Sequence, residues 1–208
     1  MRVLVACEFS GIVRDAFAAR GHDTWSCDLL PTERPGRHIQ GDVLEILDDG
    51  WDLMIAHPPC TYLSYAGIGW FNEEKWGDSA RNRKSKREAA AYFFMRLWKA
   101  PVPRVAIENP VGYMNSHFRK ADQTIQPYFF GDPHVKGTCL WLRGLLPLMY
   151  PVGIPKPAPL TIQYRKPSKY YKGGEIKNRY FTDAFTRDQH ERSRTFPGIA
   201  AAMAEQWG

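Results

Sequence analysis

The sequence predicts an α/β fold with a Rossmann-like, mostly parallel sheet and helices on both of its faces. Two observations lead to this fold class. Short apolar, β-branched runs alternate along the chain with segments of helical spacing. Residue types that carry chemistry stand directly after the predicted strands, where ligands bind in open α/β sheets. A chain of 208 residues is long enough for one domain with a sizeable core, so we expect a single domain over residues 1–208.

The first elements have the order of half a Rossmann-like unit. The run 2–7 is apolar and β-branched, which is typical of a buried strand. A turn that contains Gly11 leads into 12–20, where apolar side chains suit one helix face before a glycine ends the helix. The run 22–27 predicts a second strand, which Asp28 closes.

The rest of the chain continues this alternation. The predicted elements are a strand end and turn at 41–43, a strand over 51–56, a helix over 85–99, strands over 102–107 and 138–142, and a closing helix over 197–207. Residues from about 144 to 180 differ in composition, because they are rich in Pro, Lys and Tyr. We interpret them as an irregular excursion from the same domain.

Charge and cysteine content narrow the function classes. The formal net charge of +6 favours a polyanionic partner such as nucleic acid. The four cysteines are widely spaced without a Cys-x-x-Cys pair, so we expect neither a metal site nor a disulfide scaffold. No signal-peptide pattern opens the chain, and no apolar run approaches the roughly 20 residues of a membrane span. We therefore expect a cytoplasmic protein without a membrane partner.

Cys60 is the leading candidate for a catalytic residue. It follows Pro58 and Pro59, which stiffen the backbone and remove two amide donors, so that the direction of the thiol is fixed. A cysteine in this position, after a predicted strand, favours a nucleophile over a buried structural thiol. Glu108 and Asn109 follow another predicted strand, where a carboxylate could contact a ring nitrogen as donor or acceptor.

Two aspartates also come after predicted strands. Asp28 fits an acceptor for ribose hydroxyls, as in nucleotide-binding folds, and an ordinary turn aspartate fits its position equally well. With Asp42 and the turn Phe9-Ser10-Gly11, it should converge with Cys60 and Glu108 on one edge of the sheet.

A cluster of cations follows three aromatic residues after Cys60. Phosphates attract such cations and bases stack on aromatic rings, which favours a loop over 61–83 that meets nucleic acid. A solvated helix start is the alternative. A second basic and aromatic run at 164–172 has a similar composition and is ambiguous. The cations of the first cluster are Arg81, Arg83, Lys84, Lys86 and Arg87, and the aromatic residues are Trp70, Phe71 and Trp76.

These motifs resemble those of the DNA cytosine-5 methyltransferases. His57-Pro58-Pro59-Cys60 matches the family's Gly-Phe-Pro-Cys motif, and Glu108-Asn109-Pro110 matches its Glu-Asn-Val motif. Phe9-Ser10-Gly11 matches part of the motif Phe-x-Gly-x-Gly, Asp28 stands at the acidic ribose ligand, and Gly41-Asp42 resembles the next cofactor motif. The order and spacing agree over roughly the first half of the chain.

The chain also departs from the family pattern. The second glycine of the cofactor motif is missing. Lys136 and Thr138 stand for the two arginines of the family's Gln-x-Arg-x-Arg stretch, which weakens a bidentate contact to the base. There is no room for the usual target-recognition domain. Such a compact form is similar to the members carried by bacteriophages.

The resemblance implies an S-adenosylmethionine-dependent methyltransferase fold and a reaction. The Cys60 thiolate would add to C6 of a cytosine turned out of the DNA stack, with Glu108 at N3, and S-adenosyl-L-homocysteine would be the product. The implied catalytic residues are Cys60 and Glu108, and the implied cofactor-binding residues are Phe9, Ser10, Gly11, Asp28, Leu29, Asp42, Val43, His57 and Pro58. The implied substrate-binding residues are Pro59, Ser64, Asn109, Arg81, Arg83, Lys84, Lys136 and Thr138.

Three alternatives remain open at this point. The same chemistry could act on RNA, single-stranded DNA or a free cytosine nucleotide. The chain could instead be an inactive, methyltransferase-derived DNA-binding protein. A Cys/His hydrolase that uses His57 is the third, and it lacks a visible residue to orient the histidine. The expected location is the cytoplasm of a bacterial or phage-infected cell, and the sequence leaves the oligomeric state open.

Overall fold

A seven-stranded sheet forms the centre of the molecule. The computed structural model describes residues 1–151, 161–163, 178–180 and 189–208. The strands are β1 (Arg2–Ala6), β2 (Asp23–Asp28), β3 (His38–Gln40), β4 (Leu53–Ala56), β5 (Arg104–Pro110), β6 (Gln123–Ile125) and β7 (Thr138–Arg143). Their order is β3-β2-β1-β4-β5-β7-β6. The first five are parallel, and β7 lies antiparallel between β5 and β6.

This topology confirms the predicted α/β, Rossmann-like fold with a mostly parallel sheet. The chain runs outward from β1 to β2 and β3, and then returns to place β4 on the other side of β1. Such a reversal of strand order opens a crevice at the carboxyl ends of the strands, where α/β proteins bind ligands.

Helices cover both faces of the sheet, as predicted. They are α1 (Ile12–Ala18), α2 (Glu73–Trp76), α3 (Asp78–Trp98), α4 (Met114–His117), α5 (Gln189–Ser193) and α6 (Pro197–Trp207), with 3₁₀ turns at Val43–Glu45, Tyr65–Phe71 and Pro127–Phe130. Side chains alternate between the faces of a strand. Val3 and Val5 of β1 therefore pack with α1 and α6, while Leu4 and Ala6 pack with α3.

Several predicted boundaries are wrong by a few residues. Helix α3 begins at Asp78 rather than at residue 85, because its first turns are charged and exposed and carry no apolar period. Strand β5 begins at Arg104 and continues through Glu108, Asn109 and Pro110, because β7 pairs with it there. The three-residue strands β3 and β6 are too short to show an alternating pattern.

The proposed excursion at about 144–180 lies largely outside the described residues. Within it the structure describes 144–151 and two short antiparallel strands, β8 (Thr161–Gln163) and β9 (Asn178–Tyr180). The basic run at 164–172 lies outside the described residues. Among the residues that are described, no helix is both long and apolar enough to cross a membrane.

Candidate active site at the carboxyl edge of the sheet

Cys60 lies in the segment that leaves the carboxyl end of β4. It is the exposed one among the four cysteines. Its backbone carbonyl accepts hydrogen bonds from the amides of Leu63 (3.0 Å) and Ser64 (2.9 Å), so a tight turn begins at the cysteine. The preceding Pro58 is buried and Pro59 is exposed, which anchors one end of the segment and leaves the thiol accessible.

Glu108 lies next to this segment on the neighbouring parallel strand. Ala56 of β4 pairs with Ile107 of β5, so the residues that follow each of them meet at the same edge. The carboxylate influences the thiol electrostatically. Although Cys60 is exposed, the protein around its sulfur raises the pKa of the thiol by desolvation, and the Glu108 charge raises it further, while Lys136 acts in the opposite direction.

His57 joins the cysteine segment to the carboxylate. Its Nδ1 lies 3.3 Å from Oε2 of Glu108, and its side chain is 8% exposed. Burial of Glu108 opposes ionisation, but the hydrogen bond and charge of His57, together with Lys136, hold the pKa of that carboxyl below its usual value. The motif resemblance predicts a catalytic role for Glu108 and a cofactor contact for His57, and the structure brings the two side chains into contact.

Asn109 holds the cysteine segment through a hydrogen bond to its backbone. It is buried, and its Nδ2 donates a hydrogen bond of 2.9 Å to the carbonyl of Pro58. The sequence suggested contact with substrate for this residue. The structure places its amide on the protein's own backbone, which fixes the path of the chain two residues before Cys60.

Glu8, which the sequence analysis did not select, occupies the start of α1. Its buried carboxylate accepts hydrogen bonds from the amides of Val13 (2.7 Å) and Arg14 (3.2 Å) and from the hydroxyl of Ser10 (3.2 Å). Ser10 Oγ in turn accepts from the amide of Ile12 at 3.3 Å. Burial raises the pKa of Glu8 against these hydrogen bonds. The free amides of the first helical turn are therefore satisfied within the protein.

Gly11 is required by a buried arginine. Its φ of +71° lies in the left-handed region, and a Cβ there would lie 2.4 Å from Nη2 of Arg14. Arg14 is 1% exposed and bonds to the hydroxyls of Ser26 and Thr32 and to the carbonyls of Arg34 and Pro35. The loop after β2 is thus held against α1, and nothing in the sequence pattern indicated this role for Arg14.

The predicted cofactor aspartates lie at the ends of neighbouring elements. Asp28 ends β2 and accepts from the amide of Leu30 at 2.9 Å, and Asp42 accepts from the amide of Leu44 at 2.9 Å. Burial first, and then the charges of Asp28 and, more weakly, Asp42, raise the pKa of Cys7, which places both carboxylates near the end of β1. The same causes raise the pKa of Cys27 to about 11.

The other predicted cofactor residues divide by exposure. Leu29 is 73% exposed beside Asp28, which leaves it free to contact a ligand. Phe9 and Val43 are buried, with exposed fractions of 7% and 4%. Their side chains belong to the packing beneath this edge, and Phe9 also accepts a hydrogen bond from the Glu33 amide at its carbonyl.

The prediction of a loop over 61–83 is wrong, since the segment contains a 3₁₀ turn, α2 and the start of α3, while contact of its cations with phosphate stays a prediction. Arg81 and Lys84 form ion pairs with Glu73, and Arg81 also pairs with Asp78. Arg83 donates to the carbonyl of Thr61 at 3.2 Å. The three predicted phosphate contacts are thus all engaged within the protein.

The remaining predicted substrate residues also have protein partners. Lys136 is half-buried, and its Nζ donates to the carbonyl of Arg192 at 2.9 Å. Thr138 is buried and donates to the carbonyl of Lys136 at 3.2 Å. Ser64 caps the 3₁₀ turn by accepting from the Ala66 amide at 3.1 Å. Of these, Lys136 is the one whose charge reaches Cys60 and Glu108.

The site is a cysteine-and-carboxylate centre with no metal-binding group of three or more His, Cys, Asp or Glu among the described residues. A separate cavity of about 500 Å³ lies away from it, at Arg14, His22, Asp23 and Arg37. Its charged walls are paired with one another, with Arg37 on Asp23 and Arg14 on Asp15. This cavity is therefore separate from the edge of the sheet where Cys60, His57 and Glu108 meet.

Comparison with known proteins gives distant similarities in structure. No family model and no curated protein sequence matches this chain. A solved structure described as a DNA modification methyltransferase encoded within an E. coli prophage is similar with a TM-score of 0.42 and 17% identity, over 68% of this chain and 46% of that chain. The Entamoeba histolytica methyltransferase EhMeth is similar with a TM-score of 0.47 and 11% identity, over 77% of this chain and 58% of that chain. The chain spans about half the length of these two structures. Both similarities are too distant to assign a reaction.

Proposed function

We propose that this protein transfers a methyl group from S-adenosylmethionine to C5 of cytosine in DNA, through a covalent adduct with Cys60. The observation that carries the proposal is the accessible thiol of Cys60, in the segment that follows β4, beside the carboxylate of Glu108 on the neighbouring parallel strand β5. A nucleophile next to a group that can hold a ring nitrogen is the arrangement that addition to C6 of cytosine requires. The motif resemblance of the two segments supports the same reaction.

The residues at the ends of β1 and β2 fit the proposed cofactor. Because Glu8 and Ser10 satisfy the first amides of α1, this helix start does not offer a phosphate site. The carboxylates of Glu8, Asp28 and Asp42 make the edge acidic, which suits a cationic sulfonium ligand. Asp28 would accept from ribose hydroxyls, and Leu29 would offer apolar contact. When bound, S-adenosylmethionine supplies the electrophilic methyl group.

The chain's own groups account for the remaining steps. The Cys60 thiolate adds to C6, the ring electrons move toward C4 and N3, and Glu108 holds N3 as it gains a proton. Asn109 keeps the cysteine segment in place through the Pro58 carbonyl. After methyl transfer to C5, a base takes the C5 proton and the bond between sulfur and C6 breaks, which restores the ring and frees Cys60.

A smaller cytosine-bearing substrate is a second candidate, because three of the cations near Cys60 have partners within the protein. Arg81, Arg83 and Lys84 are paired within the protein, so they contribute little to a duplex footprint. Exposed aromatic side chains remain close by, including Tyr65 and Trp70. Unstacked bases bind to such rings in single strands, which favours single-stranded DNA, RNA or a nucleotide over an intact duplex for this alternative.

The test is methylation of DNA in cells. Wild type, Cys60→Ala and the buried-thiol control Cys139→Ala are expressed in a methylation-free bacterial host, and 5-methyldeoxycytidine is measured by mass spectrometry of the digested DNA. We expect a signal in wild type and Cys139→Ala and none in Cys60→Ala. A signal that survives in Cys60→Ala contradicts the covalent mechanism. No signal in any of them contradicts duplex DNA as substrate, and purified protein is then assayed with RNA, single-stranded DNA and cytidine nucleotides. Cofactor binding without turnover on every substrate indicates an inactive binding protein.

A further inference from the structure

We propose that His57 is a positioning residue that holds Glu108 by one carboxylate oxygen and stores the proton that Glu108 donates to N3 of the cytosine ring. This role rests on the proposed methyl transfer, in which N3 must gain a proton when Cys60 adds to C6. It goes beyond that proposal because it assigns a proton source to the site. The motif that surrounds Cys60 gave His57 a cofactor contact instead.

The position of His57 in the sheet supports the role. Its backbone amide donates to the carbonyl of Ala6 at 2.9 Å, so the residue lies at the end of β4, between β1 and β5. Glu8 follows β1, and Glu108 belongs to β5. The imidazole therefore lies between two carboxylates, with its Nδ1 at 3.3 Å from Oε2 of Glu108.

The two ring nitrogens have different surroundings. Nδ1 is engaged with Glu108, while Nε2 is buried without a hydrogen-bond partner among the residues that the structure describes. When the ring carries the stored proton, both nitrogens are protonated and Nδ1–H donates to the carboxylate; when that proton moves to Glu108, the neutral ring keeps its proton on Nε2 and Nδ1 becomes the acceptor. Oε1 of the same carboxylate is then available for a substrate. One proton can thus move between His57 and Glu108 along the hydrogen bond.

The proton balance of the reaction closes within this pair. As sulfur bonds to C6, the electron pair of the C5=C6 bond forms C4=C5, and the C4=N3 pair moves to N3. The stored proton moves from Nδ1 of the His57 imidazolium to the Glu108 carboxylate and from Glu108 to N3, which leaves a neutral ring protonated on Nε2. When the C5 proton leaves to solvent and Cys60 departs, N3 returns its proton through Glu108 to His57. The pair ends as it began.

The charges around His57 are consistent with a stored proton. Glu8 faces it from the turn after β1 and Glu108 from β5, and both interact with its charged form. Lys136 is the cation near Glu108 and Cys60, with Arg192 contributing at Cys60. Two carboxylates therefore compensate the imidazolium, while Lys136 acts on both Glu108 and Cys60.

The first measurement is independent of activity. Nitrogen-15 NMR of histidine-labelled wild type, assigned by the peak that disappears in His57→Gln, reports which ring nitrogen carries the proton. We expect the ring in the free protein to carry a proton on both nitrogens. A neutral ring in the free protein, protonated on one nitrogen alone, would overturn the storage of the proton. Because the measurement uses wild type, it holds even if His57→Gln fails to fold, with His57→Asn then serving for assignment.

The second measurement is the pH profile of methyl transfer from labelled S-adenosylmethionine to methylation-free bacterial DNA. In wild type the rate should rise with pH while the pair keeps its proton, because more of the Cys60 thiol ionises. In His57→Gln, Glu108 must hold the proton alone. Each step in pH that adds thiolate then removes an equal share of protonated carboxyl, so we expect a flat profile and a rate at pH 8 lower by at least about tenfold.

The outcomes separate this inference from the proposed function. A profile of unchanged shape, lower by the same factor at every pH, indicates a purely structural role for His57 and overturns the inference. The exposed histidine variant His117→Gln is the matched control and should keep the wild-type profile. Absence of cytosine methylation by wild type overturns the proposed function, and the storage role with it, whereas the NMR result still reports whether His57 and Glu108 share the hydrogen bond.

Discussion

Removal of the Asn109 amide should both destabilise the protein and release the segment that carries Cys60. The side chain is buried, and Nδ2 donates at 2.9 Å to the carbonyl of Pro58. Neither proline in this segment has an amide hydrogen, so the segment offers few alternative backbone bonds. In Asn109→Ala the Pro58 carbonyl therefore loses this partner while remaining inside the protein.

The magnitude follows from the two terms involved. A net hydrogen bond contributes about 0.5–1.5 kcal/mol, and a buried acceptor left without a partner costs about 1–3 kcal/mol. We expect Asn109→Ala to lower the free energy of unfolding by about 2–3 kcal/mol. Asn109→Asp should cost at least as much at neutral pH, because an ionised carboxylate cannot donate to Pro58 and also repels Glu108. Burial and Glu108 should raise the pKa of the introduced carboxyl, so part of the lost stability should return as pH falls through it.

Urea unfolding at pH 7 measures the first effect, and the rate of iodoacetamide modification of Cys60 in native protein measures the second. We expect the modification rate to change in Asn109→Ala because the thiol no longer has one fixed direction. Asn82→Ala, in an exposed position on α3, is the control and should change stability by less than about 0.5 kcal/mol. A loss below about 0.5 kcal/mol in Asn109→Ala, with an unchanged modification rate, refutes the role of Asn109 as the support of the segment.

Two further predictions test other parts of the edge. Arg14→Met should lower the free energy of unfolding, measured in urea, by about 3–5 kcal/mol, because it leaves the buried acceptors around the guanidinium unpaired. The exposed variant Arg20→Met is the control, and a loss in Arg14→Met no larger than in this control would contradict the prediction. Iodoacetamide modification of Cys60 at pH 7.5, followed by mass spectrometry, should be faster in Glu108→Gln and slower in Lys136→Gln than in wild type, because the carboxylate raises the pKa of the thiol and the lysine lowers it. Changes of the same sign in both variants would contradict the electrostatic account.

The fold could be predicted from the sequence because its central strands are buried on both faces. Apart from Arg2, the runs that form β1 and β4 consist of apolar residues, since helices cover both sides of a parallel sheet. The placement of Cys60, Asp28 and Glu108 at one edge followed from the same reasoning, because parallel strands end together. A rule about strand ends requires no knowledge of the side chains around them.

The contacts within the site were not predictable in this way. The sequence indicated no role for Glu8 or Arg14, and both are buried because they satisfy backbone groups of the adjoining elements. The cations after Cys60 were interpreted as phosphate ligands, since a sequence shows charge but not its partners. Glu73 and the carbonyls of 61–62 are partners of four of these cations, and their contact with phosphate stays a prediction.

The charge on Glu108 links the two proton requirements of the proposed reaction. While Glu108 is ionised, it raises the pKa of the Cys60 thiol and so opposes formation of the nucleophile. When a proton moves to Glu108 from His57, that opposing charge disappears, and Lys136 remains to favour the thiolate. The same proton position that lets Glu108 donate to N3 therefore makes Cys60 easier to ionise. Because both effects arise from one carboxylate, nucleophile and proton donor should become competent together, and an isolated thiol without substrate should remain largely protonated.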